Sequence, residues 1–129
     1  MTDTDILTLV DRLERCLLSN KEFHHRDHLT VAVAYLYHSD VPAATEKMRA
    51  GLMRFAAHHN VTLYHETMTR FWILMAEKHL DRGLPLAEAV ERVHLALNNK
   101  DLVYSFYSRE RIGSAEAKAG WVEPDLREI

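Results

Sequence analysis

An all-α fold is what this sequence predicts: a single-domain antiparallel helical bundle of about five main helices, followed by short C-terminal helical turns. Three observations carry that prediction. Apolar residues recur at steps of three and four in five successive stretches, no stretch alternates as a half-buried strand would, and the connections between stretches are short. With 129 residues, 47% of them apolar, and only four glycines and three prolines, the chain is sized for one domain, residues 1–129, with a substantial core.

The first helix follows Asp3 and Asp5, whose carboxylates suit a helix N-terminus, and its stripe of Ile6, Leu7, Val10, Leu13, Leu17 and Leu18 carries it to about Ser19. The second spans about His25 to His38. The third starts at Pro42, a residue pre-set for a first turn, and places Ala44, Met48, Leu52 and Phe55 on one side. A fourth runs from near Leu63 to Arg82, before Gly83. The fifth follows Pro85 with Leu86, Ala89, Val90, Val93 and Leu97 on one stripe. Helical turns are expected at about Leu102–Tyr107 and Ser114–Lys118, with Trp121 and Leu126 packing back onto the bundle.

Composition excludes several function classes. A formal charge of −3, with both signs interspersed, supplies no basic stripe for a phosphate backbone, so nucleic acid is not an expected partner. The longest apolar run, Val31 to Tyr37, is too short for a bilayer, and the acidic N-terminus is unlike a signal peptide; no membrane association is expected. A lone Cys16, on the apolar face of the first helix, has no internal disulfide partner and reads as a small buried hydrophobe. The expected location is the cytoplasm.

Chemistry concentrates in two clusters, Glu22-Phe23-His24-His25-Arg26-Asp27-His28-Leu29 and Tyr64-His65-Glu66-Thr67-Met68-Thr69. Helical periodicity puts His25 and His28 on one face with Leu29, Ala32, Tyr35 and Leu36, and His65 on a face with Thr69, Trp72, Ala76 and His79. Two imidazoles three residues apart can ligate one ion from a single turn, and a facing helix can complete the site. His25, His28 and His65 are therefore candidate ligands for a divalent transition metal, Zn²⁺ or Fe²⁺. Glu66 or Tyr35 is then a catalytic base or outer partner, and Thr69, Trp72 and Arg109 candidate contacts to a small-molecule substrate. Glu66 points away from His65 and can instead pair with Arg70. A metal-free version uses His28 or His65 as acid or base, with Arg109 holding an anion. The opposing reading is a non-catalytic binding or interaction module, as a monomer or a homodimer, whose histidines cap helices and satisfy carbonyls. His24, His38, His58, His59, His79 and His94 read as helix-end or surface residues, and the methionines as packing.

No glycine-rich phosphate loop, zinc-protease motif, cysteine-pair site, nucleophile elbow or paired di-iron motif is present. Phe23-x-His25-x-x-His28-Leu29, then Tyr64-His65-Glu66-Thr67-x-Thr69 and Trp72, then Tyr107-Ser108-Arg109-Glu110-Arg111 and Trp121-Val122-Glu123-Pro124-Asp125-Leu126, together resemble the pattern of a family of small all-helical bacterial proteins of unknown function. The resemblance covers nearly the whole chain. It implies an all-helical domain with a shared polar site at His25, His28, His65, Glu66, Thr69 and Arg109, and it brings no reaction with it.

Overall fold

A computed structural model describes all of residues 1–129, and it contains helices only: α1 (Asp3–Glu14), α2 (His25–Tyr37), α3 (Val41–His58), α4 (Glu66–His79), α5 (Leu86–Ala96), a 3-10 turn (Lys100–Ser105), α6 (Arg109–Ile112) and α7 (Ala115–Ala119). This is the expected single-domain helical bundle. No helix is long and apolar enough to cross a membrane.

Local capping chemistry sets most helix starts. Thr2 opens α1 by accepting from the Asp5 N–H while the Asp5 carboxylate accepts from the Thr2 N–H, so the cap is Thr2 and not the acidic residues after it. Asp40 caps α3 ahead of Pro42, His65 caps α4, and Ser108 and Ser114 cap the two short C-terminal helices. Two helices are shorter than their apolar stripes suggest. The first stops at Glu14 because Cys16 turns into the left-handed region, φ 56°, which also leaves that thiol half-buried in a loop rather than on a helix face. In α4, residues 61–64 approach without regular structure, His65 is extended as the cap, and Leu80, extended at φ −78° and ψ 126°, ends the helix short of Arg82.

The middle of the bundle is α2, which packs against α1, α3, α4 and α5. That position accounts for its seven buried residues, among them Leu29, Val31, Val33 and Leu36, on nearly every side of the helix. The core continues through Phe71 and Ile73 of α4, Val90 and Val93 of α5, and Phe106 and Tyr107 after the 3-10 turn. The C-terminal segment closes over α4: Tyr107 donates its hydroxyl hydrogen to the Val122 carbonyl (2.7 Å), and Thr67 donates to the Gly120 carbonyl (2.7 Å). Trp121 packs back as expected, but the Leu126 side chain stays exposed, and Val122 and Ile129 take the apolar contacts instead.

Candidate functional site

A cavity of about 580 Å³ lies between α2, α3 and α4 and the loops that lead into α2 and α4. All three histidines singled out from the sequence line it, with Thr69 and Trp72. They reach it because His25 and His28 lie one turn apart at the start of α2, while His65 sits at the N-terminus of α4 beside them.

The three imidazoles are held differently. Nδ1 of His65 accepts from the Met68 N–H (3.1 Å), so its proton is on Nε2, which donates to the Ile112 carbonyl (2.6 Å); both nitrogens are occupied by backbone. His25 donates from Nε2 to the Leu97 carbonyl (2.9 Å), which leaves Nδ1 as a lone pair, and its ring meets Trp72 edge-on, with centroids 4.5 Å apart. His28 has no hydrogen-bond partner at either ring nitrogen, and neither nitrogen is sealed from the cavity. Its ring lies 4.2 Å from that of Phe23. Removal from bulk water, with the neighbouring His25 adding to the effect, pushes its pKa down to about 4, so His28 is a neutral imidazole at pH 7.

No group of three or more His, Cys, Asp or Glu side chains is arranged to hold a metal ion. The three-imidazole ligand set is therefore not formed, and the reason is visible in His65, whose lone pair is committed to capping α4.

The remaining candidates lie elsewhere. Glu66 is buried and faces away from the histidines, bonded by Arg49 of α3 (2.8 Å from Nε) and by the Tyr64 hydroxyl. The Arg49 guanidinium, with help from Tyr64, holds its carboxyl below the usual range, and burial first, then the same carboxylate, raises Tyr64 to about 12. Arg70, the partner expected for Glu66, lies over the Trp121 ring instead. Tyr35 turns toward α1 and donates to Glu14 (2.9 Å); burial first, and then Glu14, raise its pKa. Arg109 is exposed and lies 4.0 Å over the Tyr104 ring, remote from the cavity lining.

Several roles were not legible in the sequence. Met48 and Met68, read there as packing, wall the cavity together with Phe23 and Phe55. Arg49 has only an ordinary i,i+3 spacing from Glu46 in the sequence, and its buried carboxylate partner, Glu66, is 17 residues away on another helix. His94, read as a surface residue, is 3% exposed; its Nε2–H bonds the Thr30 hydroxyl (2.8 Å), and Thr30 in turn donates to the Arg26 carbonyl. His59 is tied by Nε2 to the Leu18 carbonyl (2.9 Å), pinning the loop after α1.

The fold and site thus define a helical bundle with a histidine-bearing cavity that opens to solvent between α2, α3 and α4. Comparison with protein-family models, with curated proteins and with solved structures yields no match.

Proposed function

We infer that the chain binds a small molecule in the α2–α3–α4 cavity and that His28 is the side chain that meets its polar group, as a hydrogen-bond partner and as the proton acceptor of an acid–base reaction. The unpartnered imidazole of His28 carries this reading. The ring is part-buried, no protein group bonds either nitrogen, and both are open to the cavity, so they are free to meet a ligand. The volume lies within the range of ligand pockets, and the wall is mainly apolar with a few polar groups, as ligand pockets are. His25 and His65, each fixed by a distant carbonyl, orient the polar side of the wall.

Acid–base work at such a site starts from the neutral form. A base with a pKa of about 4 accepts a proton at neutral pH only while a developing charge on the ligand compensates. The cytoplasm suits the unpaired Cys16. Screening a fragment library by amide chemical shift tests the reading. Hits should perturb α2 and α4 around His28, and a library without such hits would refute it.

One observation favours a metal-dependent variant. A ligating histidine characteristically donates its other ring N–H to a carbonyl, as His25 does to Leu97, and His28 stands one turn further on with both nitrogens free. Such an ion would take Nδ1 of His25 and one nitrogen of His28, and water or substrate would complete its shell. Elemental analysis of protein purified without chelator, beside a folded His28→Ala variant, separates the variants. About one equivalent of Zn²⁺ or Fe²⁺ in the parent alone establishes the metal form, and none after reconstitution eliminates it.

A further inference from the structure

The cavity lining has a property beyond its histidines: none of its 17 residues is Asp, Glu, Lys or Arg. The nearby charges are already paired and turned outward. Glu66 and Arg49 engage each other on the far side of Tyr64, and the Tyr64 hydroxyl donates to that carboxylate rather than into the cavity. Thr69 directs its hydroxyl hydrogen to the His65 carbonyl (2.9 Å), and both nitrogens of His65 are taken. The polar groups left facing the cavity are the Nδ1 lone pair of His25, the exposed Asn20 amide at the rim and the ring of His28, which alone offers both a donor and an acceptor among aromatic and thioether side chains.

An ionised carboxylate, phosphate or ammonium entering this space would lose part of its hydration and meet no opposite charge in the lining, which is unfavourable. A hydroxyl is different. It can donate to the lone pair of His28 while the rest of the molecule lies against Phe23, Phe55 and Trp72, where rings pack with favourable edge and offset geometry. We propose that the ligand of this cavity is an uncharged, predominantly apolar ring compound carrying a phenol-like hydroxyl, which His28 recognises. This deepens the preceding reading and rests on it. It excludes the ionised metabolites that a histidine-rich site would otherwise suggest.

The test compares three probes of matched shape, 4-ethylphenol, ethylbenzene and 4-ethylbenzoate, at pH 7. The readout is the indole N–H resonance of Trp72, which lines the cavity. Trp121, held by Glu123 outside it, serves as an internal reference. The phenol should bind about tenfold more tightly than the hydrocarbon, the scale of one good net hydrogen bond. The benzoate should bind more weakly than either. In His28→Leu, or in His28→Gln where the first is poorly folded, the advantage of the phenol over the hydrocarbon should fall by about the same tenfold while the hydrocarbon still binds. Ala56→Trp, which fills the cavity from α3, should abolish binding of all three. Equal binding of phenol and hydrocarbon overturns the hydroxyl assignment and leaves the small-molecule reading standing. Preference for the benzoate overturns the uncharged class. No response of Trp72 to any probe at millimolar concentration overturns both.

Discussion

Two imidazoles lie against the body of helix α2, His94 of α5 on one side and its own His28 on the other, and they differ in what surrounds the ring. Toward α5, Thr30 meets His94, whose Nε2 is bonded and whose Nδ1 is buried without a partner and outside the cavity lining. Toward α3 and α4, His28 makes no bond and faces open volume. Burial lowers the pKa of both histidines, so the titration shift alone does not distinguish a structural imidazole from a functional one. What distinguishes them is the space in front of the ring. A histidine with a partner and no cavity holds two helices together, whereas one with a cavity and no partner is available to a ligand.

The comparison is sharpened most strongly by acid. A histidine held below its ordinary pKa in the fold takes up its proton more readily when unfolded. Its contribution to stability is therefore whole above about pH 6.5 and is lost as pH falls toward 4. For His28 that amounts to about 3 kcal/mol across the window. Denaturant unfolding from pH 7 to pH 4 should show this loss in the parent and a distinctly shallower slope in His28→Leu.

At pH 7 the two histidines should part in sign. His94→Ala removes a bonded, buried ring from between α2 and α5 and should destabilise by roughly 2–3 kcal/mol in urea titrations. Substituting His28 by Leu removes an unpartnered polar group and should stabilise by about 1 kcal/mol, the trade-off expected where function opposes stability. A loss of stability in His28→Leu as large as that in His94→Ala would erase the distinction.

Glu66 supplies a third point of reference, as a buried carboxylate whose partners are all in place. Glu66→Gln should destabilise by roughly 2 kcal/mol by uncoupling α4 from Arg49, less than a sealed pair would lose because Arg49 can regain water. It should leave ligand binding at the cavity unchanged, in contrast to His28→Leu. The smallest effect is expected at Gly51 of α3, where an added Cβ would meet Leu13 at an ordinary 3.7 Å. Gly51→Ala should raise stability by about 0.5 kcal/mol without altering either histidine.

Periodicity alone located all five main helices, since each has an apolar stripe that has to be buried. It overran at three helix ends because caps, left-handed and extended residues, not stripes, stop helices: Cys16 ends the approach to Leu17 and Leu18, His65 lies before α4 rather than within it, and Leu80 ends α4 short of Arg82. Spacing made legible that His25 and His28 lie one turn apart on α2, whereas the arrival of His65, which lies outside its helix, and the carbonyls that occupy His25 and His65 were not legible. Those acceptors, Leu97 and Ile112, lie 72 and 47 residues away in sequence.

Sequence by itself thus determined the elements and the chemical groups available to the cavity, because helix periodicity is a local property of neighbouring residues. Only the tertiary structure decided which imidazole remained free, which carboxylate was neutralised and that the lining carries no charge. Those outcomes depend on pairings between distant segments, and a hydrogen bond or ion pair forms only where packing brings its two halves within about 3 Å.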